Sequence, residues 1–374
     1  TTRGYYQSPN TDFYLGYDMP APPLPPSVVT DLRWKKGANI SKSSSGFTSF
    51  DMGSDENFAD GKSLMFDISG DNSQTINISD ELKPSSVYLM TPKNHDYAFT
   101  ISGKWSGTMN LYKSMQGTAT IKGNLDYTGS TVISEGTLDV NGSIAGRVRL
   151  MAKGSLSGNA VVNDIAFEGG LNYEGCRLMP GDDTNYGKIT ISRSVTMPGN
   201  VYTQLKVNAT TGQQDLLIVE GDLIYKGNNT FTIVNKGSAM TQGSYILAQC
   251  TGSMTVNTDS ITIRGLVGIP YTVKADGNKL LLVVNETRKA SDYVRWIGNV
   301  STLWDFHTNN FVLGTTATSF VSGDIITFGD EAKQRNILLN EQIIAKSVIF
   351  DFDQGNYNLS GTGLISDSTV LYKR

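Results

Sequence analysis

Histidine and cysteine are nearly absent from this chain, with two of each among 374 residues. That supply leaves little room for zinc coordination or a histidine-activated nucleophile. Charge is sparse as well: 18% of residues against roughly 25% in an average globular domain. The net charge of −4 offers no basic face to a nucleic-acid backbone. No apolar run approaches the roughly 18 residues of a membrane-spanning helix, and the opening residues do not read as a secretory leader. No window of about 12 residues carries a convincing helical period. Most catalytic classes are thereby disfavoured, and neither a cofactor nor a metal is expected.

Ser, Thr, Asn and 39 glycines take the place of charge, in stretches such as NISKSSSGFTSF, GDNSQTINIS and NATTGQQ. A neutral, hydroxyl-rich surface of this kind suits β-structure. From residue 31 onward short strand-like segments follow one another, separated by Gly, Asn and Asp turns at spacings of about 8 to 12 residues. Alternation is frequent: Leu138 and Val140 share one face of GTLDVNG, as do Ile189 and Ile191 in GKITIS. The fold class is all-β. Cys176 and Cys250 each sit in an apolar strand-like stretch. Two buried free thiols are the plain reading, and a disulfide requires that the fold bring them together.

Residues 1–30 differ from the rest. TTRGYYQSPNTDFYLGYDM is rich in aromatics, and six of the 11 prolines fall between Pro9 and Pro26, which predicts an extended, semi-rigid linker. We expect this stretch to be the tail of an upstream domain. Internal repetition organises the remainder. LRWKKGANISKSS (Leu32 to Ser44) returns as VRWIGNVSTLWD (Val294 to Asp305). FADGKSLMFD from Phe58 returns as FVSGDIITFGD from Phe320, and the segment ending at Lys113 returns as one ending at Lys373. The offset drifts only from 262 (Trp34 to Trp296) to 260 (Lys113 to Lys373). The expected organisation is a first unit over 31–290 and the opening of a second over 291–374, cut where the next GTATIKG falls due.

LYKSMQGTATIKGNLDYTGSTVISEGTLDVNGSIAG resembles the autotransporter-associated β-strand repeat. Lys113, Gly117, Thr118, Tyr127, Thr128, Gly129, Thr131, Ile133, Gly136, Thr137, Leu138, Val140, Asn141 and Gly142 match its pattern. The segment VNATTGQQDLLIVEGDLIYKGN is similar to that family's downstream stretch. Trp296, Gly298, Trp304, Asp305, Asn310 and Phe311 are similar to its unit start, from which the first unit departs with Lys42 and Ser43. The resemblance covers roughly residues 31–374 and implies a right-handed parallel β-helix, with small antiparallel elements capping or interrupting it near Trp34 and Trp296. It also implies a secreted or outer-surface protein of a Gram-negative bacterium. A second, shorter resemblance links Tyr5 to Met19 with the closing segment of family 11 rhamnogalacturonan lyases. Tyr6, Gln7, Pro9, Thr11, Phe13, Leu15 and Gly16 fit, whereas Ser8, Asn10 and Asp12 depart. It implies that this chain follows a pectin-backbone lyase whose catalytic residues lie elsewhere, so none is carried over.

Candidate sites are few. Paired carboxylates come first because many glycosidases use them: Asp182 with Asp183, Asp351 with Asp353 on one face of a strand, and Asp51, Asp55, Glu56 and Asp60. Solvated turn residues are the expected reading, and the spacing at Asp182 and Asp183 matches no known calcium loop. His95 and His307 have no nucleophile signature beside them. Trp34 and Trp296 are repeat-equivalent and read as core anchors. Trp105 and Trp304 lack a Trp counterpart (Ile365 and Lys42 stand there), which makes them the candidate platforms for stacking a sugar ring. Tyr127 and Tyr173 read as packing or as groove lining. Arg147 and Arg149, with Lys153 nearby, project from one side of a strand and would suit an anionic glycan such as pectin.

Three functions remain, in this order: a non-catalytic glycan-binding, spacer or anchor region of a pectin-degrading protein, a passenger-like adhesin or surface structural protein, and a pectin-active lyase. The last needs a carboxylate cluster or a basic residue poised on neighbouring rungs, and none stands at readable spacing. Binding of plant cell-wall polysaccharide is the expected partnership. Nothing in the pattern fixes the oligomeric state.

Overall fold

Stretches of 17 residues (Thr131 to Val148) to 32 residues (Phe231 to Ile263) each make one coil, and successive coils stack so that equivalent strands pair in parallel. The computed structural model describes residues 31–374 except 52, 169–174, 238–239, 267–268, 286–288, 292 and 367. The aromatic N-terminal stretch, the proline run, the Tyr5–Met19 resemblance and Tyr173 therefore lie outside the described residues. Among the described residues there is no α-helix, and one 3-10 turn spans Thr258–Ser260. The architecture is the all-β parallel solenoid that the strand pattern calls for.

Two long ladders carry the first unit. On sheet 1, the inward positions Leu32, Leu64, Val87, Leu111, Thr131, Val148 and Ile165 pair successively in parallel register. On sheet 2 the inward row runs Tyr97, Ala119, Leu138, Leu156, Leu178, Thr203, Phe231 and Ile263. All of these residues are buried. Alternation along each strand sends every second side chain into the tube, and stacking places like on like, so the core is a set of columns. The 16-residue strand Gly136–Met151 turns from sheet 2 into sheet 1 without a break. A shorter third side stacks Val195–Met197, Leu223–Tyr225 and Met254–Thr255.

Both ends of this ladder switch to antiparallel pairing. Leu32–Trp34 pairs antiparallel with Phe47–Ser49, which pairs in turn with Asp55–Glu56. The same strand also pairs in parallel with Leu64–Phe66, so the antiparallel element expected near Trp34 is an extension of sheet 1. At the far end Gly243–Cys250 pairs antiparallel with Lys279–Val284, and Tyr271–Asp276 completes a hairpin. Such closures occupy the open edge that a parallel stack otherwise leaves.

The start of the fold recurs after residue 290. Val294–Trp296 pairs antiparallel with Phe311–Leu313 and parallel with Ile325–Phe328, then Ser347–Phe350 and Val370–Lys373 continue the ladder. An aromatic quartet repeats with it. Trp34 meets Phe47 at 5.2 Å and Phe66 at 5.8 Å, and Trp296 meets Phe311 at 5.1 Å and Phe328 at 6.0 Å. Both indole N–H groups donate to backbone carbonyls, of Asp71 and Gln334 respectively. Tyr97 Oη donates to Asp67 O and its counterpart Tyr357 to Gly329 O. The buried apolar residues form two clusters, one from Leu32 to Val284 and one from Val294 to Val348.

Candidate functional site

The structure corrects the choice of tryptophans as sugar platforms. Trp105 is fully buried, stacked between Leu82 and Leu125 in a column that ends at Ile144, with its ring 5.6 Å from Phe99. It lacks a Trp counterpart because the column asks only for an apolar group of sufficient size. Trp304 is also fully buried, 5.9 Å from Phe320 and 5.3 Å from Phe328. It adds a fifth ring to the aromatic quartet of the second unit. Neither indole face is open to a ligand. Trp34 and Trp296 are buried anchors, and Tyr127 is buried with its hydroxyl against Thr131 Oγ1.

Arg147 and Arg149 do project from one side of Gly136–Met151, flanking the inward Val148. Their charge is already matched. Arg147 Nε lies 3.3 Å from Asp164, and Arg149 makes two 2.7 Å hydrogen bonds to Glu168 on the neighbouring strand. The Arg149 contact holds the Glu168 carboxyl below its ordinary range.

The remaining candidates fall into local roles. Asp182 accepts from the backbone and side chains of Thr184 and Asn185, hydrogen bonds that lower its pKa and close its own turn. Asp351 and Asp353 do not share a strand face, because Ser347–Phe350 ends before them and both are exposed in the following turn. Asp55 pairs with Lys35, Glu56 with Lys62, and Asp60 accepts from the Lys83 amide. His95 meets the carbonyl of Gly70, and His307 lies beside Tyr271 and 3.6 Å from Glu341. Cys176 and Cys250 are separate buried thiols. Burial pushes Cys176 up to about 11, which leaves it inert as a nucleophile.

Two buried cations escape sequence reasoning. Lys113 occupies an inward column between Leu89 and Ile133, yet its Nζ reaches the carbonyls of Ser114, Met115 and Glu135 at 2.7–3.0 Å. Three donors meet three acceptors, and burial pushes its pKa down to about 8. Gly136 makes this corner feasible: at φ +68°, a Cβ there would stand 2.2 Å from Met115 O and 2.7 Å from Lys113 Nζ. Lys206 pairs with the fully buried Asp215 at 2.7 Å and also donates to Pro180 O. Asp215 accepts in addition from the amides of Gly187 and Lys206. Both arrangements are structural staples within the wall.

The outward face of sheet 2 is where open polar groups converge. Its main row runs Thr118, Thr137, Ser155, Arg177, Tyr202, Thr230, Thr262, one residue per coil. Five steps of about 4.8 Å put roughly 24 Å between Thr137 and Thr262. Two depressions adjoin at Arg177. One, of about 340 Å³, is lined by Glu135, Thr137, Lys153 and Ser155 besides Arg177. The other, of about 280 Å³, is lined by Tyr202, Gln204, Thr232 and Arg264 besides Arg177. Ser155 lies low because Gly154–Gly158 carries only small and one inward residue between bulkier neighbours. Arg264 stands 6.0 Å from the Tyr202 ring. Among the described residues, no group of three or more His, Cys, Asp or Glu is placed to hold a metal. Sequence reasoning missed this trough because Arg177, Tyr202 and Arg264 are adjacent only through the register of coils of unequal length.

No known family profile matches the chain. A 218-residue stretch is 26% identical to the Neisserial autotransporter lipoprotein NalP of Neisseria meningitidis serogroup B strain MC58, covering 54% of this chain and 19% of that protein. The NalP of strain H44/76 matches equally. The chain thus spans about a fifth of the length of the curated relatives it matches. The likeness is to an autotransporter, in the same direction as the repeat resemblance carried by Lys113 to Gly142. No helix among the described residues is long and apolar enough to cross a membrane.

Proposed function

We propose that this segment is a non-catalytic, passenger-like β-helix of a Gram-negative secreted or surface-displayed protein, acting as an extended scaffold that presents its sheet faces to partners. The supporting observation is the stack itself. Apolar columns and buried lysine staples fill its interior, and two adjoining polar depressions lie on the outward face of sheet 2. A wall of this type offers length and a flat, repetitive surface, the properties an adhesin or spacer requires. The NalP likeness supports the secreted or surface-displayed setting of this reading. Antibody labelling of intact cells of the source organism tests it: signal on unpermeabilised cells or in the medium is expected, and signal only after permeabilisation contradicts it.

A finer reading places the segment as a glycan-binding or spacer module of a pectin- or rhamnogalacturonan-degrading polypeptide. It is supported by the resemblance of Tyr5 to Met19 alone. Release of unsaturated products from rhamnogalacturonan by the longest native polypeptide that carries the segment would support it, and no release would remove it.

A further inference from the structure

We propose that the trough from Thr137 to Arg264 on sheet 2 binds a carboxylated oligosaccharide laid along the stacking axis. The inference rests on the scaffold reading above and names the ligand class of its open face. Arg177 and Arg264 supply the charge complementarity. Five other arginines are matched, Arg33 by Asp67, Arg147 by Asp164, Arg149 by Glu168, Arg295 by Glu331 and Arg335 by Asp330, while the exposed Arg193 lies apart in the turn after Lys188–Ile191. Arg177 and Arg264 are exposed and carry no ion pair among the described residues. Two unneutralised guanidinium forks on one face of a chain with net charge −4 form a local site for carboxylates, which they bind bidentately.

The floor between them suits a sugar chain. Thr137, Ser155, Tyr202, Thr230 and Thr262 place a hydroxyl on each coil of the row except that of Arg177, and the step of about 4.8 Å is comparable with one pyranose unit along an extended chain. Tyr202, half-buried, follows Arg177 in the row and lies 6.0 Å from Arg264 of the adjacent row; it supplies an apolar ring surface for a sugar C–H face. An acidic peptide fits less well. Peptides added to sheets dock through free backbone edges, whereas at the centre of the trough the backbone of Tyr202 and Thr203 is paired in parallel on both sides. The ligand must be recognised by side chains alone, through hydroxyl and carboxylate contacts.

The test is calorimetric titration of the whole chain with hexagalacturonate, with cellohexaose and hexaglutamate as comparators. Saturable binding of hexagalacturonate is expected, weakened by added salt, with both comparators at least about tenfold weaker. An Arg177→Glu/Arg264→Glu variant that retains the parent melting temperature is expected to lose affinity by about tenfold or more, and Tyr202→Ala several-fold. Arg147→Ala, on the other sheet, leaves affinity unchanged. Absence of saturable binding, indifference to the double reversal, or equal binding of hexaglutamate overturns the assignment. The intact-cell labelling decides the scaffold reading independently, whatever the titration gives.

Discussion

The Lys206–Asp215 pair permits a prediction in which the two partners are not equivalent. Replacing Asp215 by Leu strands the Lys206 ammonium, which is left with Pro180 O as its acceptor, and it orphans the amides of Gly187 and Lys206. An uncompensated buried charge costs about 3–5 kcal/mol and each orphaned amide about 1–3 kcal/mol. Because these effects share one locus and are not additive, a net loss of at least about 4 kcal/mol is expected. Replacing Lys206 by Met leaves Asp215 still accepting both amides. Burial already pushes its carboxyl above the ordinary value, so it takes up a proton instead of remaining an isolated anion, at a cost of about 1–3 kcal/mol. The double replacement removes both charges and leaves only the orphaned amides, about 2–4 kcal/mol. The order Lys206→Met, double, Asp215→Leu is to be read from urea midpoints at unchanged slope. Full recovery in the double variant, or equal cost for the two single ones, would refute the reasoning, because Asp215 would then be only half of an ion pair.

Further outcomes follow from other parts of the wall. All four tryptophans are at most 1% exposed, so native fluorescence resists acrylamide quenching; Trp304→Ala costs about 3–5 kcal/mol, and strong quenching of the native chain would place an indole at the surface. Gly136→Ala costs at least about 2 kcal/mol through its left-handed φ and its clash with Met115 O. Gly212→Ala, at a similar φ with open space around it, costs only about 1 kcal/mol; equal thermal shifts for the two would remove the corner argument. Burial raises the phenols of Tyr97, Tyr127 and Tyr225 well above their ordinary value. Their contribution is therefore complete below pH about 10 and is lost above it, by up to about 1.4 kcal/mol per pH unit for each. Phenolate absorbance and loss of circular dichroism are expected to rise together, and free titration of these phenols without unfolding would contradict their burial.

Much of the fold was legible because two local signals agree. Period-two alternation marks the inward residues Leu138, Val140, Ile189 and Ile191, all of which are buried. The 262- and 260-residue offsets mark the restart, where the same aromatic quartet is rebuilt. What alternation cannot show is the content of a column. Lys113 occupies an inward slot because its Nζ finds three carbonyls at the corner, and a charge at such a position reads as surface. Trp105 reads as an unneeded residue because its counterpart is Ile365, although an indole and an aliphatic group can fill equivalent slots. Asp351 and Asp353 escape the alternation because the strand ends at Phe350, and beyond it the period of two no longer assigns faces. The trough was invisible for another reason: Arg177, Tyr202, Thr230 and Thr262 are 25, 28 and 32 residues apart in succession, and only paired strands give those intervals a common register.

That register is the claim on which the columns, the trough and its ligand all depend, and paired cysteines test it directly. In a Cys176→Ala/Cys250→Ala background, Tyr202→Cys with Thr230→Cys joins in-register neighbours on adjacent coils. Their backbones stand about 4.8 Å apart, inside the range that a disulfide spans. Tyr202→Cys with Thr232→Cys is displaced by two residues and falls outside it. Mild oxidation followed by intact mass is predicted to show loss of two hydrogens in the first variant and none in the second. Cross-linking of the displaced pair, or failure of both, would contradict the parallel stacking of sheet 2.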